Sequence, residues 1–420
     1  MPSLTTRLAV LGTFGQGNLG DESVFLAFQQ WFRRAYPQGR LSTVSPDPEY
    51  FRRVHDAPGL PLRRKGAPAP DSARRRSLLE KAARRLAKVP GALRRTRSFL
   101  GEMRAFARDQ DALVILGGGQ IHDYWDGPFG HPWNLYAWAR VFRQAGKPVL
   151  VPSIGACPLL HRLSAYFVRT ALASASYVGF RDRDTEKIAR GFGYRGKAAL
   201  VPDLAFSLRS DPAPAADCRG WIALSPMVYA HPDLWPRGSA AQYGGMLEKL
   251  ANFGRDLLDR GYRLRLFVSQ IRNDGRALAD LLTRLDGDDK LRREGRIHLP
   301  EVRDVPTLLE ALKSVDAVVA ERFHGVVLSL LLQRPVISVG YQPKHDRVME
   351  DFGLRDLALD IRDFRREDLE RAFDAAREHI ADPEGFRAAI GGKLEEFRRR
   401  LDAQFAEIFA IVAAERGRRE

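Results

Sequence analysis

The residues best equipped for chemistry crowd into one stretch, Ala320 to Arg347, reading AERFHGVVLSLLLQRPVISVGYQPKHDR. Arg322 and Lys344 offer fixed positive charge, and His324 is the group there whose ordinary pKa suits proton transfer near neutrality. The apolar run Val315–Ala320 reads as a buried strand. Val326–Leu332 reads as an apolar helix stopped before Pro335, and Pro335–Val339 as a second strand. The whole is a β-α-β unit whose two charged clusters fall just past the carboxyl ends of its strands, where open parallel sheets bind ligands. A helix N-terminus at Gly325, beside Arg322 and Lys344, suits a small anion. A lone Arg-x-His can equally be a local ion pair, but the all-apolar segments on either side favour a functional reading.

Four other clusters could take part. Arg7–Gly12 reads as a first strand, and Gly15-x-Gly17-x-x-Gly20 opens the helix Asp21–Tyr36. This spacing matches a dinucleotide fingerprint, with Asp47 roughly where a ribose ligand would stand. Asn18, Asp21 and Glu22 would then crowd a pyrophosphate with polar and acidic groups, and Asp21 can also be read as an N-cap. Further on, the strand Asp111–Leu116 ends in three glycines that allow close approach of a ligand or backbone. Gln120, His122, Asp123, Tyr124 and Trp125 follow, a set of aromatic faces and a carboxylate that fits a sugar ring as well as a packed turn. Arg181 stands past the strand Tyr177–Phe180, within reach of a cleft or of its neighbours Asp182 and Asp184. Ser225 and Gln270 are polar strand ends in the second half.

These clusters need a scaffold, and the chain alternates strand and helix throughout, as a doubly wound parallel sheet requires. SLRSDPAPAADC, residues 207–218, reads as a linker. It separates an N-terminal domain (1–206) from a second α/β domain (219–365), and charged helices run from 366 to 420. At 420 residues, 45% hydrophobic and 28% charged, the composition is that of a globular enzyme. Cys157 and Cys218 lie far apart without metal-ligand spacing, so neither a structural metal nor a disulfide framework is expected. No signal-peptide pattern or membrane-spanning run is visible, which fits a cytoplasmic protein. Of the net charge of +15, most sits between Arg52 and Arg108, where 17 Lys and Arg face 4 Asp and Glu. Residues 46–72 read as a loop and Ser72–Asp109 as basic amphipathic helices. That localisation argues against nucleic acid and leaves open a contact with an anionic membrane.

In order along the chain stand Gly15-x-Gly17-Asn18-x-Gly20-Asp21-Glu22, Leu116-Gly117-Gly118-Gly119-Gln120, Ser153-Ile154-Gly155, Arg181-Asp182-x-x-Thr185, Pro202-Asp203, Arg322-Phe323-His324-Gly325 and Tyr341-x-x-Lys344. This ordered set, over roughly residues 7 to 355, resembles the polysaccharide pyruvyl transferase family. Phe323 replaces the small aliphatic residue usual there, and the basic insert 52–108 is outside the shared pattern.

The resemblance implies two Rossmann-like domains facing a cleft, as in glycosyltransferase-B enzymes, with C-terminal closing helices. It also implies transfer of pyruvate from phosphoenolpyruvate to two hydroxyls of a sugar, giving a cyclic ketal. The donor then meets Arg181, Arg322, Gly325, Lys344, Ser225 and Gln270. The acceptor, polymeric or lipid-linked, meets Asn18, Gly119, Gln120, His122, Asp123 and Trp125. His324 and Arg322 act as acid/base and charge stabiliser, with Asp21 or Asp123 as hydroxyl base. Phosphoenolpyruvate is a co-substrate, and no metal or cofactor is expected. A nucleotide-sugar glycosyltransferase on the same scaffold is the nearest alternative. A dehydrogenase or a non-catalytic basic scaffold lies further off.

Overall fold

The computed structural model of the protein describes residues 5–63, 97–124, 126–215, 218–235 and 238–418; Trp125 and residues 64–96 of the basic insert lie outside the described residues. The N-terminal part runs β1 (Arg7–Leu11), α1 (Leu19–Ala35), β2 (Arg40–Ser45), α2 (Pro48–His55), β3 (Gly59–Pro61) and helix α3 (97–108). It continues through β4 (Ala112–Ile115), β5 (Gly118–Ile121), α4 (His131–Gln144), β6 (Val149–Ala156), α5 (Arg162–Ala173), β7 (Tyr177–Phe180), α6 (Arg183–Gly191) and β8 (Ala199–Leu200). Its strands are parallel in the order β3-β2-β1-β4-β6-β7-β8, and β5 pairs with the far end of β6.

The second sheet repeats the plan. It is built from β9 (Trp221–Ser225), α7 (Ala240–Asp259), β10 (Arg263–Leu266), α8 (Ile271–Leu285), α9 (Lys290–Arg293), β11 (Ile297–His298) and α10 (Val305–Lys313). Next come β12 (Ala317–Ala320), α11 (Phe323–Leu331), β13 (Val336–Gly340), α12 (Pro343–Asp351) and β14 (Ala358–Asp360), in the parallel order β11-β10-β9-β12-β13-β14. Both sheets therefore reverse direction beside their first strand, at β1/β4 and at β9/β12, and a crevice opens at such a switch point. The strands are apolar end to end because helices cover both faces; β4, β7, β9, β12 and β13 are buried at every position.

Two helices close the structure. Helix α13 (Arg366–Ala381) packs Phe373 edge-on against Phe253 and Tyr262 of the second domain. Helix α14 (Pro383–Gly417) returns to the first, stacking Phe405 on Trp31 and giving Arg400 to the Leu200 carbonyl at 2.6 Å. One continuous core runs through the second domain, α14 and the α1 side of the first sheet.

The structure corrects several local expectations. Residues 46–72 are not simply a loop: Asp47 caps the Tyr50 N–H at 3.0 Å and Pro48 sits in the first turn, so α2 forms. Asp47 is thus spent on a cap rather than standing free for a ribose. The glycines after β4 do not end the sheet, because Gly118 (φ +91) turns the chain into β5 and carries Gln120 into the sheet. Helix α11 begins at Phe323, so His324 and Gly325 lie in its first turn. Within the basic insert, α3 turns Phe99 and Phe106 onto Trp138 of its own domain, at 6.2 and 5.9 Å. Its apolar face is therefore used internally.

Candidate functional site

The glycine-rich turn between β1 and α1 is clamped by the opposite domain. The Leu19 N–H donates to the Ser269 carbonyl at 2.8 Å, and the Ile271 N–H to the Gly17 carbonyl at 2.7 Å. Gly17 (φ +74) could carry no side chain there without pressing on the Arg272 backbone, 3.3 Å from a hypothetical Cβ. The start of α1 thus faces protein, whereas a dinucleotide fingerprint keeps it for pyrophosphate. Gln270 is part of the same clamp, bridging Asn18 and capping the Asn273 N–H at 2.8 Å. Ser225 sits buried at the end of β9 and accepts the Glu321 N–H through its carbonyl at 3.2 Å. Both residues, expected at the donor, thus also make scaffold contacts.

This clamp brings Asp21 against α11. Asn18 accepts from the Gly20 N–H and donates Nδ2 to Asp21 at 2.8 Å. The His324 ring lies so close to Gly20 that a Cβ there would fall 2.3 Å from its Nδ1. Asp21 also approaches β5: its Oδ1 lies 3.5 Å from a hypothetical Cβ on Gly118, within ordinary contact distance. Burial pushes the Asp21 carboxyl above its usual range, although His324 and Lys344 pull the other way.

Asp203 forms the opposite wall. Ser153, with φ +50 inside β6, donates to the Val201 carbonyl and anchors the turn that delivers it. Asp203 takes the Ala205 N–H at 3.0 Å and Arg181 Nη1 at 3.2 Å, and His324 Nε2 stands 3.7 Å away. Burial alone would raise this carboxyl, but His324 and Arg181 hold it well below the ordinary carboxylate range. No protein partner lies within hydrogen-bond distance of His324 Nε2, although it is buried.

Above them the cations converge. Arg181 also pairs with Asp182 at 3.2 Å, so it is both paired and part of the cavity lining. Its guanidinium lies 5.0 Å from the Phe323 ring centre and Lys344 Nζ 4.7 Å from the same ring. The unusual residue at 323 is thus a platform for two cations. Burial, then the nearby Arg181 charge, pulls Lys344 down to about 8. No side chain caps either α11 or α12, so two helix N-termini open toward this group. A cavity of about 500 Å³ adjoins it, lined by Arg181, Asp203, Phe323 and Lys344 and reaching Arg400 of α14.

Arg322 does not stand free. Its Nε and Nη2 reach both oxygens of Asp274 at 2.6 and 2.7 Å, and Asp274 also takes the Val228 N–H at 3.1 Å. Beside it Glu321 is wholly buried, accepting from the Met227 N–H at 2.6 Å, and burial pushes it up to about 8. Asp274 was invisible in the sequence, since an aspartate in the first turn of a helix reads as an ordinary dipole partner. Asp203 had a signal, its place at a strand end within the motif set.

The remaining expected residues gather in the first domain, around a second cavity of about 230 Å³ lined by Thr13, Gln16, His122, Asp123 and His131. Gln120 Oε1 accepts from His131 Nε2 at 2.9 Å, and the His131 ring stacks on His122 at 5.4 Å. His131 was missed because a histidine at a helix start carries no distinguishing pattern. Asp123 lines this cavity, yet its carboxylate is engaged by the Leu160 and His161 N–H groups and by the His161 ring at 2.9 Å. Burial works against that charge, but those bonds hold Asp123 below its usual range. Gly119 is exposed on β5, and Gly325 lies in the first turn of α11.

A family model described as polysaccharide pyruvyl transferase matches residues 18–343. Among curated protein sequences, none matches the chain. Similar solved structures include a putative UDP-N-acetylglucosamine 2-epimerase from Listeria monocytogenes, with TM-score 0.55 at 11% identity over 99% of this chain and 98% of that one. The UDP-GlcNAc 2-epimerase from Neisseria meningitidis bound to UDP-GlcNAc gives 0.54 at 10% identity, over 97% and 100%. A UDP-glucosyltransferase from Polygonum tinctorium gives 0.51 at 13% identity, over 98% and 99%. At such identities the likeness is one of fold, the paired Rossmann-like domains of the glycosyltransferase-B type.

Proposed function

Because the chain belongs to the polysaccharide pyruvyl transferase family, we propose that it moves pyruvate from phosphoenolpyruvate onto two hydroxyls of a saccharide as a cyclic ketal. The observation that carries this reading is the convergence of Lys344, Arg181 and two uncapped helix N-termini around His324 and Asp21. Phosphoenolpyruvate carries a phosphate and a carboxylate, and this arrangement offers positive potential with proton-transfer groups in the middle. Arg322, tied to Asp274 along one edge, keeps its fixed charge and holds the geometry of the α11 start.

In this reading Asp21, biased by burial toward its protonated form, gives a proton to the methylene carbon of the donor. The C2 carbon becomes electrophilic. A sugar hydroxyl attacks it while His324, backed by Asp203, takes the hydroxyl proton. The C2–O bond to phosphate breaks, the second hydroxyl closes the ketal, and its proton leaves with the phosphate. One donor and two hydroxyls thus give one ketal and inorganic phosphate. The acceptor approaches from the cavity lined by His122 and His131. It is expected to be a polymeric or lipid-linked saccharide, met by a peripheral cytoplasmic enzyme that needs no resident cofactor.

Calorimetric titration tests this directly. Phosphoenolpyruvate should bind saturably to the wild type and at least tenfold more weakly to Lys344→Met. Silence with phosphoenolpyruvate, combined with saturable binding of a nucleotide-sugar, would replace this reading with the glycosyltransferase.

A further inference from the structure

We propose that the outer faces of α4 and α5 seat the protein on an anionic phospholipid surface. Of the eight large apolar side chains exposed among the described residues, all but Val54 and Leu234 lie between Tyr124 and Tyr166. Phe129 and Leu160 are each 65% exposed, where a soluble domain ordinarily tucks such groups away. Apart from Tyr124, which stacks on His122, they form one surface. Phe167 is the buried hub, with Phe129, Trp133, Tyr136 and Tyr166 around it at ring separations of 5.1 to 6.1 Å. Leu163 extends the face along α5, one turn before Tyr166.

Charge says what covers this surface. From Gly127 to Arg181 the chain contains no Asp or Glu, although it has 52 of them in 420 residues. The same two helices carry Arg140, Arg143, Arg162 and Arg169, all exposed. Exposed Trp, Tyr and Phe beside four exposed arginines, with Asp126 at the edge paired to Arg63, is the composition of a surface entering a lipid interface and meeting phosphate headgroups. A second copy fits badly, because a two-fold contact would bring like arginine rims face to face. The siting suits the molecule too. Leu160, at the tip, is tied to Asp123 through its N–H at 2.9 Å, and Asp123 lines the His122 cavity. Docking here holds that cavity close to the surface, whatever substrate it takes.

Co-sedimentation of the full chain with vesicles tests this. Wild type should pellet with equal parts phosphatidylglycerol and phosphatidylcholine at low salt, and with phosphatidylcholine alone hardly at all. R140Q/R143Q should bind about thirtyfold more weakly, at about 1 kcal/mol for each basic residue near an anionic surface. F129S/L160S should lose binding that lowering the salt does not restore. All four positions are exposed, so both variants should melt with the wild type. The proposal is overturned if wild type ignores anionic vesicles, or if both pairs sediment like wild type. It also falls if changing Arg74, Arg75 and Arg76 to Gln abolishes binding while the two pairs bind normally, or if F129S/L160S splits a dimer in sedimentation equilibrium.

Discussion

Two histidine clusters lie near the two cavities, and they are built on opposite principles. Around His324 gather groups that are charged or near the point of changing charge: Asp203 held ionised, Asp21 raised by burial, Lys344 brought down to about 8. The His122 and His131 rings are instead pushed toward neutrality, although Asp123 and Asp126 line the same cavity. Burial drives His131 down to about 3 and lowers His122, and their closest polar partner is the neutral amide of Gln120. Opposed charges kept dry cost desolvation, and a protein retains them where charge has to be bound or moved. A neutral, stacked, hydrogen-bonding wall instead suits hydroxyl groups. In the proposed reading one site carries the chemistry and the other holds the acceptor.

The largest break in this contrast comes from His324→Ala. If His324 moves the proton, transfer measured as phosphate release should fall by about 100- to 10,000-fold, with phosphoenolpyruvate binding changed little. His131→Ala should weaken the acceptor and leave single-turnover chemistry at saturating acceptor near wild type. Equal losses in kcat for both variants would erase the distinction between the clusters.

What the sequence could and could not disclose follows the same divide. Arg322, His324 and Lys344 were legible because one β-α-β unit delivers all three, and the alternation of apolar runs and charged ends places them without tertiary information. Both domains were legible for the same reason. β3, β5 and β14 were not: three- and four-residue strands at sheet margins carry too little pattern. Asp274 and Asp203 reach the site from remote elements, so no local spacing announces them. Asp21 was visible as a residue, but its burial was not. The environment that raises its carboxyl is created only when the glycine turn docks on Ser269.

Asp274→Ala probes the charged region as structure. Arg322 would lose its bidentate partner while its side chain remains four-fifths buried. Breaking a buried pair from one side costs about 3–5 kcal/mol, which should appear as a large drop in Tm and in the urea midpoint. Adding Arg322→Leu should recover much of that loss without restoring transfer. Failure of the double variant to recover would mean that Asp274 acts through the Val228 N–H instead.

A smaller change tests how the domains meet. Gly20→Ala introduces a Cβ that collides with the His324 ring. Overpacking of this kind costs about 1–3 kcal/mol, and the ring must leave its place near Asp203. The expected result is a modest fall in Tm with a disproportionate fall in kcat. A variant with wild-type kcat would show that His324 need not hold this position.

The finest test of the contrast is pH. Lys344 has a folded pKa of about 8, below the ordinary lysine value, so its charge is present below pH 8 and lost as pH rises through it. Donor affinity should therefore decline above pH 8, by up to about tenfold per unit if one charge is decisive. Stability should move the other way, because between pH 8 and the ordinary lysine range the unfolded chain binds the extra proton and the folded chain does not. Lys344→Arg should flatten both trends. Acceptor affinity should stay level from pH 5 to 9, since His131, at about 3, is already neutral throughout. Calorimetry of donor and acceptor over one pH series separates the two regions: parallel curves would mean that a single titrating group governs the whole cleft, and diverging curves that charge is confined to the side where His324 works.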